Sequence, residues 1–316
     1  MILALRALGV GDLATAVPAL RGLRAAYPDS ELVLAAPAWL APLVELVGGV
    51  DRLLPTAGLR RLDRPGAAVE VAVNLHGRGP DSHRLLATVD PGRLFAFANP
   101  EAGQLDGPGW DDDEHEVVRW CRLLAGYGIA ADPTDLDLRR PPPSNLAGVT
   151  VLHPGSKVPA KRWPPDRYSA LARRLTEQGH RVVLTGSARE RPTVARIAAR
   201  AGLSPEAVLA GGTDLAGLAA LVADARLVVS GDTGVAHLAT GYRTPSVVLF
   251  GPVPPSRWGP PPERRRHRVL WVGPGAWPDW DGVGSHPTMA ALDLDRVLGA
   301  VDGVERAVRA DRAVAA

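Results

Sequence analysis

The sequence predicts an α/β protein built from two successive Rossmann-like halves, each around a parallel sheet. Three observations predict it. Short apolar runs alternate with longer, helix-period patterns along almost the whole chain, the signature of βα units. The alternation stops at Arg139-Arg140-Pro141-Pro142-Pro143-Ser144-Asn145, a stiff polar stretch that continues no element, and then restarts. A chain of 316 residues is long enough for two domains of ordinary size. The expected division is an N-terminal domain over 1–140, a C-terminal domain over 146–300, and a tail over 301–316. That tail is rich in Ala, Arg and Val, is either helical or frayed, and carries no assigned function.

In the first half, Ile2–Leu5 reads as a strand, Leu13–Ala26 as a helix and Glu31–Ala35 as a second strand. A helix over Trp39–Val47, a strand over Val69–Val73 and a longer helix over Glu114–Tyr127 complete it. After the proline segment, Val149–Leu152 is a strand, Pro165–Gln178 a helix, Arg181–Thr185 a strand and Arg189–Ala201 a helix. Asp214–Ala223 then reads as a short helix, Leu227–Val229 as a strand, Thr233–Thr240 as a helix and Ser246–Phe250 as a strand. Two such halves imply a cleft between them, with ligands outside the carboxyl ends of the strands.

Hydrophobic residues make up 46% of the chain and mean hydropathy is zero, which describes a globular protein. No apolar run is long enough to span a bilayer. The start, MILALRALGVGD, lacks a basic leader and is interrupted by Arg6 and Asp12, so it reads as a buried strand rather than a signal peptide. The single cysteine, Cys121, excludes an internal disulfide or a cysteine-based zinc site and falls in a helical pattern as a core residue. The expected compartment is the cytoplasm. A net charge of only +2 gives no footprint for nucleic acid. The one basic run, Arg264–Arg268, follows a proline-rich loop without aromatic interleaving and reads as a solvated turn.

The division of positive charge is more informative. Only two of the 36 basic residues are lysine, Lys157 and Lys161, and they lie in one loop. In a chain whose Ala, Gly, Pro and Arg content is that of a GC-rich genome, two surviving lysines suggest that a compact ammonium is needed there, because the planar guanidinium cannot copy a point charge. The loop reads His153-Pro154-Gly155-Ser156-Lys157-Val158-Pro159-Ala160-Lys161-Arg162-Trp163-Pro164 and runs from a strand into a helix. Backbone N–H groups, the Ser156 hydroxyl and two ammonium groups suit phosphate oxygens. The spacing is not that of a P-loop.

A second candidate is Ser230-Gly231-Asp232-Thr233-Gly234-Val235-Ala236-His237, at the end of a strand with Asp232 as expected helix N-cap. Free N–H groups at Thr233 and Gly234, with the helix dipole behind them, suit a diphosphate, and His237 lies one turn along on the same face. The third is the first βα turn, Gly9-Val10-Gly11-Asp12-Leu13-Ala14. It formally fits G-x-G-x-x-A, the dinucleotide fingerprint. Yet no acid closes the second strand, and Asp12 would set negative charge against a pyrophosphate. Asp12 is read as a helix cap or as a catalytic base, and one residue can fill both roles. His76, Arg78, Ser82 and His83 follow the Val69–Val73 strand and are candidates to face an acceptor, or simply solvated loop polarity. Asp111-Asp112-Asp113 contains a D-x-D spacing, but just before a helix such acids serve the dipole, so no metal site is expected.

Together, ALGVGDLATAVPALRGLRAAYP, HPGSKVPAKRWPPDRY and SGDTGVAHLATGYRTPSVVLFGP, with a weaker HPTMAALDLDRV, resemble the heptosyltransferase-like enzymes of glycosyltransferase family 9 over most of the chain. The resemblance implies a GT-B fold, two Rossmann-like domains facing a cleft, with metal-independent transfer and inversion at the anomeric carbon. By position, Asp12 resembles the family's general base. Ser156 and Lys161, with Lys157 as a neighbour, match groups facing the donor phosphates. Asp232, Thr233, Gly234 and His237 match the donor-binding block, and Glu190 is placed near the nucleoside. His76 and Arg78 fall on the acceptor side. Two departures bear on the donor: Gly155 stands where many such enzymes carry a hydroxyl, and the lysine loop is one residue longer. The implied partners are a nucleotide diphosphate-sugar of the ADP-heptose kind and a glycan or other hydroxyl acceptor, through which peripheral membrane contact would arise; no cofactor is expected. The competing readings are a nucleotide-binding protein without transferase activity and an NAD-linked oxidoreductase that binds at the N-terminal glycine turn.

Overall fold

The computed structural model describes residues 1–63, 65–273, 282 and 284–315, the side chains of 312, 314 and 315 excepted. The chain divides into two compact units, Met1–Arg139 and Arg140–Ala316.

The first unit runs β1 (Ile2–Leu5), α1 (Val10–Thr15), α2 (Val17–Ala26), β2 (Leu32–Ala36), α3 (Ala41–Val47), β3 (Arg52–Pro55), β4 (Val71–Asn74), α4 (Asp81–Ala87), β5 (Arg93–Phe95) and α5 (Glu116–Ala125). Its sheet is wholly parallel, in the order β3-β2-β1-β4-β5, with Ile2 beside both Leu32 and Val71. Because β1, β2 and β4 are covered on both faces, every residue in them is buried, which explains their unbroken apolar runs.

The second unit runs β6 (Thr150–His153), α6 (Pro165–Glu177), β7 (Val182–Leu184), α7 (Arg191–Ala201), α8 (Leu215–Ala223), β8 (Leu227–Gly231), α9 (Gly234–Gly241), β9 (Ser246–Leu249), α10 (Pro255–Trp258), β10 (His267–Leu270), α11 (Pro287–Ala290) and α12 (Leu294–Ala315). Its sheet, also parallel, has the order β10-β9-β8-β6-β7. In each sheet the winding direction reverses once, between β1 and β4 and between β6 and β8. Ligands of such sheets bind outside the strand ends at that reversal.

Several sequence expectations need correction. The Leu13–Ala26 helix starts earlier, at Val10, and is two helices. Pro18 lacks an N–H and would clash inside one continuous helix, so the chain recaps at Ala16 and takes Pro18 into the first turn of α2. The Trp39–Val47 helix opens with a 3-10 turn over Ala38–Leu40. Three strands, β3, β5 and β10, and the helix α4 had no counterpart in the reading. The segment after Gly299 is no separate tail. It is the second half of α12, whose Val297, Val301 and Val304 are buried in the core of the second unit with Leu171, Leu175, Val247 and Leu249. The basic run is not a free turn either: His267 and Arg268 open β10, the Arg264 guanidinium donates to the Thr240 carbonyl, and Arg266 pairs with Asp311.

Candidate functional site

At the reversal point of the first sheet, β1 leads through Gly9 into α1 and β4 leads into His76. Gly9 caps α1 in an extended conformation, so Asp12 occupies the third helical position rather than the N-cap. From there its carboxylate reaches back, and Oδ2 accepts the Gly9 N–H at 2.9 Å. The carboxylate thus serves the helix terminus and stays about one quarter exposed, with a side-chain exposure of 28%. The N–H that a dinucleotide pyrophosphate would use at Gly9 is already taken by an anion, which argues against the oxidoreductase reading.

Arg6, at the end of β1, lies behind this turn and is fully buried. Its Nε donates to the Asp12 carbonyl at 2.9 Å, one Nη donates to the Leu75 carbonyl, and the other donates to Glu116 Oε1 at 2.8 Å. His76 closes the turn from β4: its Nδ1 accepts the Ala7 N–H at 3.2 Å, which leaves the proton of the neutral ring on Nε2. Burial lowers its pKa and the Arg6 charge lowers it further, against a smaller opposing pull from Asp12. Arg78 is exposed, and its carbonyl accepts from Asn99. Ser82 and His83 do not face an acceptor. Both are buried on α4, where Asn74 Nδ2 donates to Ser82 Oγ at 2.9 Å and His83 Nε2 meets the Phe97 carbonyl at 2.8 Å.

At the reversal point of the second sheet, the lysine loop leaves β6 and the Asp232 turn leaves β8. The two turns touch: a Cβ on Gly231 would lie 2.8 Å from the Lys161 carbonyl, so only glycine permits the approach. The result is an ion pair between Lys161 Nζ and Asp232 Oδ2 at 2.5 Å, with Asp232 buried and Lys161 partly open. Lys157 is exposed, so the structure separates the two lysines. Ser156 Oγ accepts the Val158 N–H at 3.1 Å, and Arg162 closes the loop by donating Nε and Nη2 to the Ser156 carbonyl at 2.8 and 2.6 Å.

Asp232 is not the N-cap of α9; Thr233 is, in an extended conformation, and Gly234 is the first helical residue. Its side chain therefore points its charge at Lys161 instead of at the helix. Thr233 Oγ1 is buried without a hydrogen-bond partner. His237, one turn into α9, lies 3.8 Å from Asp232 Oδ1 and packs edge-to-face on Trp258 with centroids 5.8 Å apart.

Glu190 flanks the same loop. Its carboxylate accepts the Ser187 N–H and hydroxyl, both at 2.8 Å, and occupies the place where a side chain on Gly155 would stand, 2.4 Å from such a Cβ. The glycine departure noted above has this physical reason. Burial works to raise the Glu190 pKa, but Ser187, His153 and Arg162 together outweigh it, and the net shift is downward. His153 is driven by burial down to about 4, against a weaker pull from Glu190, and its Nδ1 meets Thr185 Oγ1 at 2.9 Å.

Sequence reading missed Arg6, Glu116, His153 and Arg162. The first two are far apart in the chain, and no periodicity links them. His153 and Arg162 sat in the quoted loop without a distinguishing signal. The acidic run Asp111–Asp113 spends its carboxylates locally, on the Trp110 indole and the Asp113 N–H. Among the described residues no three His, Cys, Asp or Glu side chains gather to hold a metal, and no helix is long and apolar enough to cross a membrane.

The sequence profile of glycosyltransferase family 9 (heptosyltransferase) matches residues 111–279, more than half of the chain. The chain belongs to glycosyltransferase family 9. Lipopolysaccharide heptosyltransferase 2 of Escherichia coli (strain K12) is 26% identical over 335 aligned positions, which take in 92% of this chain and 94% of the relative. The structure of E. coli ADP-heptose lps heptosyltransferase II superposes with a TM-score of 0.76 at 25% identity, over 96% of this chain and 98% of that one. E. coli heptosyltransferase WaaC with ADP-2-deoxy-2-fluoro heptose shares the fold, with a TM-score of 0.70 at 19% identity over 95% and 98% of the two chains. The two parallel five-stranded sheets are those of this family's GT-B architecture. This family 9 chain is therefore a glycosyltransferase. The segment matched by the family profile contains the lysine loop, Glu190 and the Asp232–His237 turn.

Proposed function

We propose that the second unit binds a nucleotide diphosphate-sugar of the ADP-heptose kind, and that Asp12 of the first unit is the base that deprotonates the acceptor hydroxyl. The observation that carries the donor half is the Lys161–Asp232 ion pair at the start of α9. It holds one ammonium beside the N-terminal N–H groups of a helix, at the reversal point of a parallel sheet. Ser156, Lys157, Thr233 and Gly234 surround the diphosphate in this reading, His237 stands toward the sugar, and Glu190 lies near the nucleoside. Relatives named as ADP-heptose enzymes, or solved with ADP-heptose analogues, support this choice of donor.

The chemistry is one displacement. The acceptor oxygen bonds to the anomeric carbon as its proton passes to Asp12, and the bond from that carbon to the diphosphate oxygen breaks. A single attack from the opposite face inverts the configuration. The electron pair leaves on the nucleoside diphosphate, where the Lys161 ammonium and the α9 N–H groups stabilise the growing charge, so the step requires no metal ion. The acceptor is a hydroxyl of a glycan or similar molecule, held on the His76 and Arg78 side of the first unit. In this reading the chain works in the cytoplasm, with membrane contact only through the acceptor.

Lys161→Ala tests the donor site. Calorimetric titration with ADP should show affinity reduced at least tenfold, and transfer from ADP-heptose, followed by ADP release in the presence of EDTA, should fall in step. Normal ADP affinity and turnover in this variant would remove the lysine from the site. Loss of wild-type turnover on chelation would instead remove the metal-independent step.

A further inference from the structure

Four charged side chains form a line through the first unit, and the transfer chemistry uses only Asp12 among them directly. Asp12 on α1, Arg6 directly after β1, and Glu116 and Arg119 on α5 alternate in sign. Arg6 Nη2 lies 3.7 Å from Asp12 Oδ1 and 2.8 Å from Glu116 Oε1, while Glu116 Oε2 pairs with Arg119. Three of the four are buried, Arg6 completely. Withdrawing a guanidinium from water is costly unless every donor is satisfied. Here the fork lands on the Asp12 carbonyl, the Leu75 carbonyl, Thr15 Oγ1 and Glu116. The indole of Trp120 lies under the Arg6 guanidinium at 4.5 Å, and its Nε1 donates to the same Glu116 oxygen at 3.0 Å. A charge placed there for stability alone would be better replaced by an apolar side chain. This one is spent on the two strand ends and the helix start that carry Asp12.

We infer that Arg6, anchored by Glu116 of α5, is a positioning residue for the Asp12 carboxylate; the inference rests on the reading of Asp12 as the base. The arrangement fixes Asp12 from three sides. Gly9 holds Oδ2, and Arg6 holds the Asp12 carbonyl while facing Oδ1. Thr15 Oγ1 donates to the same carbonyl at 3.0 Å. Oδ1, the oxygen that does not accept the Gly9 N–H, is the one turned toward the guanidinium. Glu116 acts one step further back. It accepts from the Arg6 guanidinium and is its counter-charge. Among the described residues, the charged or titratable groups linked to Asp12 are Arg6 directly after β1, His76 after β4 and, through Arg6, Glu116 with Arg119 on α5.

Two variants perturb the line in opposite senses. Glu116→Gln keeps the shape and removes the counter-charge, so Arg6 acts on Asp12 undiluted. The acid limb of the kcat profile should move to lower pH, and kcat at neutral pH should fall about tenfold as the base weakens. Arg6→Lys replaces the fork by a shorter ammonium that stands farther from Oδ1, so the limb should move to higher pH, also with reduced kcat. Donor KM should stay within twofold in both, because the donor groups lie in the other unit. A packing role alone would lower kcat and leave the limb where it is, and that result overturns the inference, as does unchanged kcat in both variants. Circular dichroism checks folding; if Glu116→Gln does not fold, the upward shift in Arg6→Lys decides. Asp12→Asn is measured alongside. Full turnover there removes the base assignment and this inference with it. Its expected loss, combined with wild-type profiles in the other two variants, overturns the positioning role alone.

Discussion

Gly155 and Glu190 show how a single missing side chain can be set by a neighbour rather than by the backbone. Glu190 stands in the volume that a Cβ on Gly155 would enter, held there by its two hydrogen bonds to Ser187. The clashing atoms are the far end of a flexible side chain, so Gly155→Ala should displace the carboxylate instead of breaking the loop. The cost is the loss of those hydrogen bonds, about 1 kcal/mol in a half-exposed setting. In a Glu190→Ala background the same substitution should be nearly neutral, a non-additivity that urea denaturation of the four proteins in the cycle would measure. Additive effects would mean that the two residues do not share the space. At this scale the sequence was legible where composition was skewed. Two lysines among so many arginines marked the loop, and Lys161 lies in an ion pair at the start of α9. It was not legible where the partner was distant in the chain. Nothing near Arg6 announces Glu116, and nothing near Asp232 announces that its carboxylate would turn to Lys161 instead of capping α9.

Among the elements, the missed strands share a cause. β3, β5 and β10 are all at sheet edges, where one side has no strand to pair with and the apolar run is short or broken. β3 carries Arg52 and Pro55, β5 has three residues, and β10 begins inside the basic run. The central strands β1, β2, β4, β6, β8 and β9 are buried along their length or nearly so, and their apolar runs make them readable. β10 also joins its sheet through a titratable contact. His267 Nδ1 meets Ser246 Oγ at 2.8 Å across the β9–β10 pair, and burial, with Arg264 and Arg266 nearby, drives His267 down to about 4. His153 at the end of β6 is driven to the same value by burial. Both histidines bind their proton more readily in the unfolded chain, with its ordinary pKa near 6.5. The stability they provide is therefore complete above about pH 6.5 and is lost as pH falls toward 4. The second unit should lose a few kcal/mol over that window, with each histidine contributing roughly 1.4 kcal/mol per unit of pKa difference. His267→Asn should flatten the slope of stability against pH when it is followed by denaturant titration at several pH values. A slope unchanged from wild type would show that this histidine is not the source.

For the whole molecule, the sequence division at the proline segment and the two compact units fall close together, because the Arg139–Asn145 stretch lacks the apolar spacing any element needs. The C-terminal end was the harder part. Alanine, arginine and valine in α12 give only a weak apolar stripe, and its meaning depends on what it packs against. In the structure Val301 and Val304 are buried in the core of the second unit, and Arg226 pairs with Glu305 on the same helix. Just before α12, the Leu292 carbonyl accepts the Trp163 indole N–H at 2.8 Å, and Trp163 lies two residues beyond Lys161. The residues just before α12 thus support the far end of the lysine loop, and α12 itself supports the sheet. A chain ended after Gly299 loses two fully buried valines, worth at most about 3–6 kcal/mol together, out of the 5–15 kcal/mol that a domain commonly has. Scanning calorimetry of the shortened chain should show the unfolding of the second unit at a clearly lower temperature, with the transition of the first unit in place. Added ADP should raise the second transition in the full chain by binding its folded state, and should do so in the shortened one as well, because Leu292, which holds Trp163 beside the lysine loop, is retained. If the shortened chain kept its transition temperature, α12 beyond Gly299 would have no part in holding the core; if it lost the ADP-induced shift, the donor loop would depend on that segment as well.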